Sequence, residues 1–193
     1  MEGGDRLMND RDRLRELLLE RSVRTGDFVL ASGRRSDFYV DARRTTMSGE
    51  GQMRIGRLGL EAIDNAGWKP DAVGGLTLGA DPVAYAIAHA AALAGRNLDA
   101  FTVRKQPKEH GTGRRIEGGF REGMDVVVVE DVVTTGESAL RAVEAVRAEG
   151  GRVIGVLAVV DREEGGRERI ETEGLSLVAL FGATELRGQG GKG

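Results

Sequence analysis

At 193 residues the chain is within the range of one domain and can bury about 70% of the surface that its unfolded form exposes. With 31% charged residues, 40% hydrophobic residues and a net charge of −3, it reads as a soluble, cytoplasmic globular protein with no excess of positive charge for nucleic-acid phosphate. No apolar run reaches the roughly 18 residues of a membrane span, no signal-peptide pattern opens the chain, cysteine is absent, and His89 and His110 are the only histidines, so membrane, thiolate and His-rich metal chemistry are excluded.

The first periodic segment, Asn9–Arg24, sets Leu14, Leu17, Leu18 and Val23 near one helical face and predicts an amphipathic helix ended by Gly26. Two short strand-like runs follow, Phe28–Ala31 and Phe38–Asp41, joined by the turn residues 32–35. Ser48 is a candidate N-cap for a helix running to Asn65, with Gly67 past its end. Asp71–Leu76 predicts a strand. Asp81-Pro82 then caps an alanine-rich helix, with proline at its first position, that runs to Gly95. Leu98–Arg104 predicts the next strand, and 106–119 a long polar loop.

The run Asp125–Val129 is continuously β-branched, as expected of a strand buried on both faces of a parallel sheet. Helix 137–149 follows, with Leu140, Val143, Ala145 and Val146 inward and Gly150-Gly151 as its stop. Val153–Val160 is a second buried strand, 162–174 is charged, and Leu175–Phe181 closes the series. Alternating strands and helices predict an α/β fold with a doubly wound parallel sheet and a small N-terminal helix/strand hood. The chain divides into a hood at 1–45, an α/β core at 46–186 and a frayed tail at 187–193, all within one domain. Ligands of such sheets bind beyond the carboxyl ends of the strands.

The densest signal lies at that kind of position. A buried strand delivers Glu130 and Asp131, then Val132, Val133, Thr134, Thr135, Gly136, Glu137 and Ser138 lead into a helix. Backbone N–H groups at a helix start, hydroxyl donors and a glycine make a phosphate cradle. The two acids repel a phosphate and suit sugar hydroxyls or a hydrated Mg²⁺ beside it. A Walker-type nucleotide site is excluded, because no G-x-x-x-x-G-K-[ST] occurs. The dinucleotide fingerprint fails too, since Gly111 and Gly113 lead into Arg114-Arg115.

A second cluster stands out against composition. Of 28 basic residues only four are lysine, and two of these, Lys105 and Lys108, share residues 105–110 with His110. With Arg104, Arg114 and Arg115 they form a basic loop, long enough to serve as a lid beside the cradle.

The acidic pair followed by Thr134-Thr135-Gly136-Glu137-Ser138 resembles the phosphoribosyl-pyrophosphate (PRPP) motif of type I phosphoribosyltransferases. Residues 28–39 resemble the amino-terminal segment of the orotate phosphoribosyltransferases, 104–111 resemble their catalytic loop, and Asp161-Arg162 matches as well. The resemblance spans 28–181. It implies transfer of ribose 5-phosphate from PRPP to orotate, giving orotidine 5′-monophosphate and pyrophosphate in pyrimidine biosynthesis. It further implies Arg104, Lys105, Lys108 and His110 over the pyrophosphate, and Glu130 and Asp131 at the ribose. Residues 134–138 would then hold the 5′-phosphate, with Val132 and Val133 also binding PRPP, while Arg162, with Phe38, Tyr39 and Thr134, meets orotate. Lys105, Lys108, His110 and Asp131 are the implied catalytic groups. Mg²⁺ would be held mainly by PRPP rather than by protein ligands, and the lid would be shared across a homodimer. Ala31 stands where many members have lysine, and 75–81 lack a Tyr-Lys pair found in some, so no side chain of 76–81 is expected in the site. A purine-type phosphoribosyltransferase and a non-catalytic PRPP-binding regulator are the alternatives.

Overall fold

The computed structural model describes residues 9–29, 35–106 and 115–187. Its centre is a six-stranded sheet made of β3 (Ala72–Leu76), β4 (Asp99–Val103), β5 (Ile116–Gly118), β6 (Asp125–Val133), β7 (Arg152–Asp161) and β8 (Leu177–Gly182), in the order β5-β4-β3-β6-β7-β8. All neighbours are parallel except β5, which runs antiparallel along the β4 edge. The chain therefore winds outward in one direction from β3 and in the other from β6. The crevice between these two strands is the switch point at which α/β sheets open a ligand site.

The residues of β6 explain why it is central. Val127 and Val129 enter one apolar cluster, with Leu14 and Leu18 of α1 (Asp10–Arg21), Ile55 and Ile63 of α3 (Gly49–Asn65) and Ile87 of α4 (Ala80–Leu93). Val126 and Val128 enter the other, with Leu140, Val143 and Val146 of α5 (Glu137–Ala148) and Ile170 of α6 (Gly166–Thr172). Alternate side chains of a strand point to opposite faces, so a strand covered on both sides must be apolar at every position. Ahead of the sheet, α1 and the hairpin of β1 (Val23–Val29) and β2 (Arg35–Val40) form the hood, followed by the short α2 (Arg43–Thr46).

The doubly wound sheet and the hood agree with expectation, as does α3, whose N-cap Ser48 accepts the Gly51 N–H. Several bounds differ. The first helix stops at Arg21, because Ser22 caps it through Leu18 O and its own carbonyl takes the Asp41 N–H, pulling Val23 into a strand opposite Val40. The second run of that hairpin begins earlier too, at Arg35 rather than Phe38. Helix α4 begins at Ala80, so Pro82 is its third residue, where its missing N–H still falls among the unpaired amides of the first turn. The loop predicted over 106–119 contains β5, three residues too short to show periodicity but paired with β4. Strand β6 runs on to Val133, so Glu130 and Asp131 lie inside its last turn of pleat rather than after it. Within the charged stretch, α6 starts after Gly165, and Arg187, expected in the frayed tail, ends a further helix, α7 (Ala183–Arg187).

Candidate active site

At the carboxyl end of β6, Glu130 is 4% exposed, and no hydrogen-bond partner reaches its Oε1 among the described residues. Burial pushes its carboxyl well above the usual range, and the neighbouring Asp131 charge adds to the effect. Asp131 is also raised by burial. Its shift is opposed by the Val132 N–H, which donates to Oδ1 at 2.8 Å, and by the Arg43 guanidinium. Arg43 is in turn paired with Asp41 at 2.8 Å.

The exit of β3 lies hard against this pair. A β-carbon on Gly79 would sit 2.5 Å from Asp131 Oδ1, so a side chain there would require the Asp131 carboxylate to move. The lysine that some members of the family carry in this loop is absent here. Ala31, the other such position, lies outside the described residues.

After β6 the chain turns into the cradle. Glu130 and residues 132–139 line a pocket of about 150 Å³. Gly136 is the N-cap of α5 at φ +75°, a left-handed conformation that glycine adopts without strain. Thr134 is half-buried beneath it, and Thr135, Glu137 and Ser138 are exposed at the mouth. Unpaired first-turn N–H groups and the positive end of the helix dipole face this opening. The exposed Glu137 carboxylate repels an anion, so its contribution to a phosphate is restricted to the main chain.

Arg162 is fastened to the same strand, its N–H donating to Val133 O at 2.8 Å. Its side chain is almost fully buried. Nη2 donates to Phe38 O at 3.0 Å and to Glu164 Oε1 at 2.5 Å, while Nε, shielded from water, has no partner among the described residues. The guanidinium lies 5.5 Å from the centre of the Phe38 ring. Phe38 therefore meets Arg162 through its carbonyl and its ring, and that ring is itself buried in the core. Tyr39 points to the other face of β2, exposed, 5.8 Å from Phe28 and within electrostatic reach of Arg43.

Of the basic loop, Arg104 and Lys105 are exposed, and Arg104 pairs with Glu117 at 3.0 Å. Lys108 and His110 lie outside the described residues. The loop's two described ends are pinned together: Arg104 N donates to Arg115 O at 2.8 Å, and Glu149 at the end of α5 accepts the N–H groups of Arg115 and Ile116. Arg43, Glu149 and Glu164 escaped the sequence reading. Glu164 alone carried a local signal, two residues after Arg162.

A model of the phosphoribosyl transferase domain matches residues 48–182. The orotate phosphoribosyltransferase of Aquifex aeolicus is 51% identical over 183 residues, covering 93% of this chain and 99% of the relative. The chain belongs to the orotate phosphoribosyltransferase family. The enzyme of that name from Corynebacterium glutamicum is 50% identical over 176 residues, covering 91% of this chain and 93% of the relative. The Mycobacterium tuberculosis orotate phosphoribosyltransferase crystallised with PRPP superposes with a TM-score of 0.79 at 47% identity, covering 93% and 99% of the two chains.

In this member of the orotate phosphoribosyltransferase family the acid pair is held against its own solvation. A carboxyl raised in the fold keeps its proton at a pH where the unfolded chain has lost it. Its stabilising contribution is complete below the ordinary glutamate pKa of about 4.3 and is lost as pH rises towards the raised value. Glu130→Gln is therefore expected to raise Tm by a few degrees at neutral pH, with the gain vanishing near pH 4. Thermal unfolding of both proteins across this range checks it; a Tm difference independent of pH contradicts it.

Proposed function

We propose that the protein transfers ribose 5-phosphate from PRPP to a ring nitrogen of orotate, releasing pyrophosphate and forming orotidine 5′-monophosphate for pyrimidine biosynthesis. The observation that carries this reading is β6 itself, whose end presents a desolvated acid pair and a helix-capped anion cradle within one short stretch. A site that joins orotate to PRPP needs both, together with a cation for the base carboxylate.

The 5′-phosphate is assigned to main-chain N–H groups of 134–138 and the hydroxyls of Thr134, Thr135 and Ser138. Glu130 and Asp131 address the ribose hydroxyls, which can donate to both acids and satisfy Glu130 Oε1. The bond from the anomeric carbon to pyrophosphate oxygen breaks as the bond to orotate nitrogen forms, so positive charge develops on the sugar while negative charge collects on the leaving group. Arg104, Lys105, Lys108 and His110 are assigned to that leaving charge, where preorganised cations act most strongly. Arg162 is assigned to the orotate carboxylate through its unpartnered Nε, with Phe38 fixing the guanidinium.

Hard oxygen donors of the kind Mg²⁺ prefers are present in Glu130 and Asp131. Among the described residues no group of three or more His, Asp or Glu forms a cage for a metal. That donor set fits Mg²⁺ carried in on PRPP phosphates, where it would neutralise departing pyrophosphate. The reading includes a cytoplasmic enzyme without nucleic-acid or membrane partners. Among the described residues no helix is long and apolar enough to cross a membrane.

A homodimer with a lid shared between subunits belongs to the same proposal. It is supported by an apolar groove of about 720 Å³ between α3 and α4, where Met53, Tyr85 and Leu93 are exposed, Leu93 by 78%. A second copy of the chain covers such a face by two-fold symmetry.

Orotate-dependent release of pyrophosphate from PRPP, lost with chelator, tests the activity. Arg162→Ala is expected to raise KM for orotate far more than KM for PRPP; equal rises contradict its assignment. Lys105→Ala is expected to lower the rate by about 10²–10³, the effect of losing one donor to developing charge. Mixing Lys105→Ala chains with Asp131→Asn chains then restores part of the activity, because one site of each hybrid dimer carries neither defect. Mixed protein as inactive as its parents, after confirmed subunit exchange, places the lid within its own chain.

A further inference from the structure

The exit of β3 is tied down by side chains from three elements. Thr77 Oγ1 donates to Asp81 Oδ2 at 2.6 Å, and Thr102 Oγ1 donates to Asp81 Oδ1 at 2.8 Å. Thr102 has one hydroxyl proton and gives it to Asp81, so Tyr85 is the donor in its 2.9 Å contact with Thr102 Oγ1. The Thr77 N–H also donates to Val103 O at 2.9 Å, extending the β3–β4 ladder by one rung.

Asp81 sits in the first turn of α4, where an acid commonly serves its own helix. Here its two oxygens are taken by hydroxyls from outside the helix. What they secure lies at two places of consequence. Gly79, two residues after Thr77, abuts Asp131. Thr102 and Val103 immediately precede Arg104 and Lys105. Residues 77–80 carry no charged side chain, so this loop can meet an anion only through main-chain N–H groups. Such a contact weakens steeply as its angle departs from linear, and its alignment depends on a fixed backbone.

We propose that Asp81 is a positioning residue for the pyrophosphate end of the site, fixing the 77–79 loop against Asp131 and setting the start of the Arg104–Lys105 segment. The inference rests on the reading of this site as a PRPP site. Asp81 touches no reacting atom; it acts through Thr77 and Thr102. Two charge-assisted hydrogen bonds, from Thr77 and Thr102, hold the loop in place.

The test is a set of near-isosteric variants. Thr77→Val removes the donor and Thr77→Ser keeps it, while Asp81→Asn removes the charge. Initial rates with orotate, PRPP and Mg²⁺ give both KM values, and product inhibition gives the affinity for pyrophosphate. Thr77→Val and Asp81→Asn are expected to raise KM for PRPP and weaken pyrophosphate inhibition by about tenfold, the loss expected of one hydrogen bond to a charged group. KM for orotate stays within about twofold, a change well below one hydrogen bond, and Thr77→Ser behaves as the unaltered protein. The positioning role is overturned if Thr77→Val keeps unaltered PRPP and pyrophosphate affinities, if Thr77→Ser fails to rescue, or if both KM values rise together as Tm falls. An unaltered protein that turns over no orotate overturns the functional reading, and this inference with it.

Discussion

A carboxylate at the end of a strand that is covered on both faces has little water to solvate it, and Glu130 occupies that position with Asp131 beside it. Everything around the candidate site can be traced to accommodating this pair. The strand cannot be moved outward, because Val126 through Val129 supply both apolar clusters. The acids therefore remain where the sheet delivers them, raised by burial and relieved on one side by Arg43. Native proteins accept such local instability where a ligand resolves it, and the ribose hydroxyls proposed to donate to both acids would be such a ligand.

The same crowding governs where positive charge can stand. Asp131 crowds the exit of β3 at Gly79, and the cations around it are Arg43 beside Asp131, Arg104 and Lys105 along the sheet edge, and Arg162 after β7. Arg162 is held by Val133 O, Phe38 O and Glu164, three groups from the strand, the hood and its own loop. The hood thus reaches the candidate site through a main-chain contact, the Phe38 carbonyl. Helix α5 spans the site, with the cradle at its first turn and Glu149, the anchor of the basic loop, at its last.

Much of this was legible in the residues. The continuous valine run announced a strand covered on both sides, and the acid pair with its hydroxyl–glycine turn announced a strand end leading into a helix start, because both are local patterns. The close approach of Gly79 to Asp131 was not legible, since it depends on a strand that comes much later in the chain. Asp81 read as a helix cap because one of its partners, Thr102, lies in β4, which only the sheet brings near, while Thr77 sits in the turn four residues before it. Strand β5 and helix α6 were hidden by their brevity within charged sequence, where pairing and packing outweigh periodicity.

The central claim is that Glu130 is held desolvated by the sheet, and a titration of its carboxyl carbon followed by NMR in the ligand-free protein tests it most directly. The account predicts a midpoint well above the ordinary glutamate value of about 4.3. A midpoint at or below that value would contradict it.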